Sequence, residues 1–251
     1  MMKPSAIKIR TTENLPNDVL RRLHLYDDVF REKWSIHQIL EVPDLRIIAE
    51  KLHDICIQNH ILGYHYTRAN KDNIWRDGLV PLSGEERRRA FLELYGHKFS
   101  TSQRERIHTS WNDYFTPYMS KIRDGRVCFN FTFVSLNNGN AENLLKYYGG
   151  EVVYFPLIQD HEIEEILTTL GDPLLVECLL KPIYIETSHD IPWGKIWLSS
   201  YHISLNPDAD QFDIDAYQKV AVRPDQIKSI ENIGPNSSNQ GMQADAAGPH
   251  G

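Results

Sequence analysis

Cysteine is scarce in this 251-residue chain: Cys56, Cys128 and Cys178 are the three it has. Their odd number and wide spacing argue against a disulfide framework and against a CxxC metal site. All three sit in apolar stretches, as inert core thiols do, and a reducing cytoplasm is the expected compartment. No apolar run approaches the ~18–20 residues that cross a bilayer, so no membrane role is expected. The opening MMKPSAIKIRTT has no apolar signal core, which argues against secretion. The histidines form no HExxH pattern, and no metal is expected. GxGxxG, GxxxxGK and GxSxG are all missing, so nothing supports a Rossmann site, a P-loop or an α/β-hydrolase. There is no internal repeat.

What is present suits a globular protein. The apolar share is 41% and the charged share 24%, too apolar for a fully disordered chain. The net charge of -7 conceals an asymmetry. Residues 1–150 carry 22 basic and 18 acidic side chains, whereas residues 151–251 carry 5 and 16. A basic half can attract phosphates; the plainer alternative is clustering on solvated helix faces.

The apolar pattern divides the chain into a helical layer over 1–60, an α+β core over 61–233 and a tail over 234–251. In the layer, Leu15, Val19, Leu23 and Val29 recur near helical spacing, as do Leu45, Ile48, Leu52 and Ile55,. Pro43 separates two helices, because proline disfavours helix in the residue before it. Strands are expected at 62–67, 126–133, 151–157, 174–185, 201–205 and 219–222, from alternation and β-branched or aromatic content. Helices are expected at 69–76, 83–95, 104–119, 141–148 and 161–170, with a short one carrying Ile227 and Ile230. Ser83 and Glu86 have capping-box spacing, and Gly78 is placed to end a helix. Strands interspersed with helices imply an α+β fold with a mixed sheet. The tail is rich in Gly, Pro, Ser, Asn, Gln and Ala and is expected to be disordered.

Three stretches carry the functional reading. The first is GYHYTRANKDNIWRDGLVP, residues 63–81, with His65 and Thr67 two apart on one face of a strand,. The second is YYGGEVVY, residues 147–154, in which Tyr148 precedes two glycines and Glu151. The third is AYQKVAVRPDQI, residues 216–227. Together they resemble the ADP-ribosyltransferase folds, a group that includes nucleic-acid-modifying toxins and RNA 2'-phosphotransferases. The resemblance implies a split β-sheet that binds NAD. His65 and Thr67 would position ribose, Tyr148 would stack on nicotinamide, and Glu151 would stabilise the charge that develops as nicotinamide leaves. The closing strand of that fold often carries the catalytic Glu, whereas this chain has Gln218-Lys219 there. Glu151 must then supply the carboxylate, or the site is inactive. For His65 the alternative is a core histidine satisfied by backbone, and for Glu151 an acid at the start of a strand.

RVCFNFTF followed by YYGGEVVYFPL is also similar to bacterial abortive-infection proteins. The tail string NQGMQADAAGPHG resembles the C-terminal peptides of integron gene-cassette proteins. Arg87, Arg88, Arg89, Arg104 and Arg106, with Tyr95, Trp111 and Tyr114 among them, form a basic and aromatic region. Such a region suits phosphate contact and base stacking on a nucleic-acid acceptor; a solvated helix pair over a buried aromatic stripe is the alternative. The functional expectation is an NAD-dependent ADP-ribosyltransferase acting on nucleic acid or protein in a toxin or phage-defence setting. The alternative is an inactive interaction module of an abortive-infection or toxin–antitoxin system.

Overall fold

Pro43 begins the longest N-terminal helix, Pro43–Ile57, at the first position, where its missing N–H costs nothing. Shorter helices, among them Asn17–Leu23 and Asp27–Glu32, precede it. Leu45, Ile48, Ala49 and Leu52 bury one face of Pro43–Ile57 against Pro192–Leu205, where Trp193, Trp197 and Tyr201 recur at four-residue spacing. The computed structural model describes residues 6–234; the expected disorder of the tail lies, from residue 235 on, outside the described residues.

The protein is α+β with two sheets. Strands β1 (Ala6–Ile7), β2 (His60–Ala69), β4 (Asp172–Leu180) and β7 (Ile227–Asn232) form the first, in the order β1-β2-β4-β7. β1 runs parallel to β2, while β2 with β4 and β4 with β7 are antiparallel. The second sheet is antiparallel and holds β3 (Val127–Phe129), β6 (Ala216–Gln218) and β5 (Ile185–Glu186) in that order. The sheets touch where Tyr64 of β2 pairs with Asn130, just past β3, by reciprocal backbone bonds of 2.8 and 3.0 Å. The N-terminal helices share one apolar core with the first sheet: Val19, Phe30 and Ile48 pack in the same cluster as Ile61, Val176 and Trp197. A second core gathers Phe91, Trp111, Tyr154, Ile163 and Leu167 under the helices Gly84–Tyr95, Thr101–Tyr114 and His161–Thr169. Among the described residues no helix is long and apolar enough to cross a membrane.

Several sequence expectations are corrected. Residues 151–157 are not a strand: Glu151–Tyr154 is a helical turn. Its β-branched residues are overridden by packing. Val153, Tyr154 and Leu157 all point into the second core, and the Val153 carbonyl accepts the Trp111 indole N–H at 2.8 Å. Residues 201–205 are the end of the Pro192–Leu205 helix, because the aromatic stripe continues through Tyr201. The strand expected over 174–185 stops at Leu180, and Pro182 opens a 3-10 turn. Ile227 and Ile230 lie on β7, not on a helix. The strand expected over 219–222 sits earlier, at β6. The strand expected over 126–133 shortens to three residues, since the amides of Phe131 and Thr132 turn away to the Asp213 carboxylate.

Gly194 marks the closest helix contact, since a Cβ there would run into the Ala49 carbonyl. Overpacking of this kind costs ~1–3 kcal/mol. Gly194→Ala is therefore expected to lower the unfolding free energy obtained from urea titration by about that amount. Gly96→Ala, where a Cβ meets nothing closer than 3.9 Å, should leave stability unchanged or raise it by up to ~1 kcal/mol.

Candidate functional site

β4 pairs with β2 from Ile61 to Ala69, but on the other edge β1 covers only His60 and Ile61, and Asn130 covers Tyr64. Beyond that point this edge has no partner strand among the described residues, only the Gly149 amide on the Arg68 carbonyl, and a cavity of ≈ 330 Å³ lies against it. His65, Thr67 and Arg68 line it from β2, Arg87 and Phe91 from the Gly84–Tyr95 helix, and Tyr148 from the turn after Glu142–Lys146. That volume is at the lower end of the ~300–1,000 Å³ of small-molecule sites.

Local sequence builds each wall. Asn70 caps the Lys71–Asp77 helix, its side chain accepting from the amides of Asp72 and Asn73. Gly78 ends that helix with φ 77° and lets Leu79 pair with Val222. A side chain at Gly78 would collide with the Val222 carbonyl. Ser83 and Glu86 form the expected capping box: the Ser83 amide donates to Glu86 at 2.8 Å and the Glu86 amide to the Ser83 hydroxyl at 3.2 Å. Arg87 and Phe91 are four apart and so share the helix face that meets the cavity. Tyr148 is held by Tyr95, edge to face at 4.7 Å.

His65 has a defined tautomer. Its Nδ1 is 2.9 Å from the Cys128 carbonyl, which can only accept, so Nδ1 carries the proton and Nε2 the lone pair. The backbone contact of a core histidine is thus made by a ring that also lines the cavity. Burial lowers the His65 pKa to about 4, partly opposed by the Cys128 bond, with the Arg87 charge adding to the lowering. The imidazole is neutral at physiological pH. Burial raises the hydroxyl pKa of Tyr148, keeping it protonated.

Glu151 is outside the cavity lining. It sits exposed at the start of its helical turn, 3.5 Å from Arg123 Nε. Its charge contributes to raising the pKa of the Cys128 thiol, but the structure does not bring it to the cavity with His65, Thr67 and Tyr148. Gln218 is buried, with its amide turned to the Val220 carbonyl at 2.7 Å. Cys128 is exposed and the other two cysteines are buried.

The five arginines do not form one surface. Arg87 faces the cavity. Arg88 is half-buried, 4.4 Å from the Phe115 ring centre, with Nη1 3.4 Å from the Val152 carbonyl. Arg106 is paired with Asp160 and Glu162 at 2.6 Å each. Arg89 and Arg104 are exposed. Sequence reasoning named Arg87 for a nucleic-acid surface and left Arg68 and Phe91 out. For Phe91 the signal was there, one helical turn from Arg87; Arg68, next to Thr67, alternates to the opposite face of the strand, and the sequence held no sign that it borders the cavity. A larger open cavity of ≈ 730 Å³ lies beside β5 and β6, lined by His53, Glu186, His189, Trp193, Asp215 and Tyr217 among others.

The structure thus defines an α+β protein with a small cleft beside β2, mostly apolar in its walls, with a few polar groups facing into it. Compared with family profiles, curated proteins and solved structures, the chain matches none.

The depressed His65 pKa has a stability consequence. The folded state resists protonation that the unfolded chain accepts below pH ~6.5, so its contribution is complete above that pH and is lost as pH falls toward 4,. Urea unfolding at pH 7.5 and 4.5 should show a stability loss on acidification that is smaller by about 2 kcal/mol in His65→Gln.

Proposed function

We propose that the cleft binds a nicotinamide dinucleotide and that the chain transfers ADP-ribose from it to a macromolecule, in a toxin or phage-defence setting. One observation carries the reading: His65, Thr67 and Tyr148, picked out for ribose and nicotinamide contacts, line one cavity. The resemblance of residues 63–81 to ADP-ribosyltransferases supplies the chemistry.

The residues have matching capacities. The His65 lone pair on Nε2 accepts a ribose hydroxyl proton, and the Thr67 hydroxyl can donate or accept beside it. Tyr148 brings an aromatic ring for the nicotinamide. The enclosed volume suits one nucleoside-sized half of the ligand, with the remainder along the open edge of β2. In the transfer, the bond between ribose and nicotinamide breaks and nicotinamide keeps the electron pair. The acceptor's lone pair then closes on the same carbon as its proton departs. Glu151, outside the lining, is the carboxylate assigned to the positive charge that builds at that carbon. A fixed carboxylate there is worth more than one in open water.

A second reading has support of its own. Gln218 is turned inward where a carboxylate is usual, and Glu151 is paired with Arg123 outside the lining. On that reading the chain is an interaction module of an abortive-infection or toxin–antitoxin type, with a binding cleft and no turnover.

Calorimetry with NAD and an assay of released nicotinamide separate them. Wild type should bind NAD, and His65→Ala and Tyr148→Ala should each weaken binding about tenfold. Glu151→Gln should keep binding and lose nicotinamide release by about 10²-fold. Binding without release, across protein and nucleic-acid acceptor pools, would favour the interaction module. No binding at millimolar NAD would reject the transferase.

A further inference from the structure

Arg87 faces the cavity without a carboxylate. The ion pairs of the described residues include none for it, and its one hydrogen bond runs from Nη2 to the Val80 carbonyl at 2.8 Å. Burial lowers its pKa, and the groups that oppose this are a tyrosine and a cysteine, not an acid. Arg68 lines the same cavity but differs, because the Asp172 carboxylate offsets its burial. Its Nε and Nη1 donate to the carbonyls of Leu170 and Leu145 at 2.8 and 3.2 Å, and it forms no ion pair with a described carboxylate. One acid does line the cavity, Asp77, and both its oxygens are taken by Arg76 at 2.8 and 2.7 Å.

A guanidinium held away from water needs an anion or several good acceptors. Carbonyls meet part of that need here and leave the charge uncompensated. His65 cannot supply a counter-charge, being neutral, and Tyr148 keeps its proton. Arg87 is therefore the one charge of the cavity lining with no acid set against it among the described residues.

We propose that Arg87 is the seat for a phosphate or diphosphate group of the cavity's ligand. Arg87 presents a planar fork of N–H donors, the geometry that matches phosphate oxygens. This deepens the nucleotide reading, yet it rests on charge and enclosure and does not require that the ligand be cleaved. It also separates two jobs within one cleft. The His65 lone pair selects a hydroxyl donor, and Arg87 selects an acceptor anion.

The experiment is calorimetry of the full chain with three probes: ADP, inorganic pyrophosphate and adenosine. ADP should bind at least about tenfold more tightly than adenosine, pyrophosphate should bind measurably, and both affinities should fall with added salt. Arg87→Gln should remove the advantage of ADP over adenosine while leaving adenosine affinity within about twofold, and Arg87→Lys should retain part of it. Arg89→Gln, an exposed change on the same helix, should alter nothing. Equal affinity of wild type for ADP and adenosine would overturn the proposal, even if Arg87→Gln proved too unstable to use. So would an Arg87→Gln protein that still prefers ADP. An anion preference without nicotinamide release from NAD would uphold the seat and count against the transferase, so the two failures are distinct.

Discussion

The short strand β3 is the point on which the arrangement depends. Immediately after it the chain is pinned from three directions. Asn130 exchanges two backbone bonds with Tyr64, its side-chain amide donates to Ile214 and Asp215, and the next two amides donate to Asp213. Asp213 also accepts from the Thr132 hydroxyl at 2.7 Å and from the Ile214 amide at 2.8 Å. Burial pushes the Asp213 pKa up despite these donors, so the carboxylate depends on them. Bonds to a charged acceptor are each worth ~1.5–3 kcal/mol net, and several on one carboxylate set the direction of the chain. The consequence reaches the cleft. β3 turns off β2 at Tyr64, the Cys128 carbonyl meets His65, and the edge of β2 beyond is left open.

The uneven charge of the sequence is resolved in the fold. Cations of the basic half pair with acids of the other: Arg106 with Asp160 and Glu162, Arg123 with Glu151, Lys146 with Glu164. The split along the chain is thus no map of a basic surface facing an acidic one. Exposed pairs of this kind add little stability, and of the five arginines named for a nucleic-acid surface they engage only Arg106. Arg87 escapes this neutralisation because its helix turns it toward the cavity, where the one acid, Asp77, is held by Arg76.

The parts of the fold that sequence revealed are those fixed by local chemistry. The Ser83–Glu86 box, the Asn70–Gly78 helix borders and the long strand carrying His65 and Thr67 all follow from residues close in sequence. The misread segments are ones where distant packing decides. The run from Glu151 through Tyr154 has the composition of a strand, but Trp111 and the second core make it a helical turn. Tyr201 looks like strand until Trp193 and Trp197 are seen to continue the same stripe. For the site, His65, Thr67 and Tyr148 were legible because two share a strand and one precedes a glycine pair. Arg87 was visible as a charge, but its direction was not, because a run of three arginines on a helix points three ways and only packing selects which one faces inward.

The cleft lies on a seam. Ile74, Leu79 and Val127 in its wall belong to the first core, whereas Phe91 and Val153 belong to the second. Few groups cross that seam by direct bonds near the cavity: the Gly149 amide reaches the Arg68 carbonyl at 3.3 Å, and Arg68 reaches back to Leu145 and Leu170. A ligand held by His65 on one side and by Arg87 and Tyr148 on the other would therefore touch both cores at once. Its binding free energy would act on their mutual docking as well as on the occupied site, because whatever binds only the docked arrangement stabilises it by mass action.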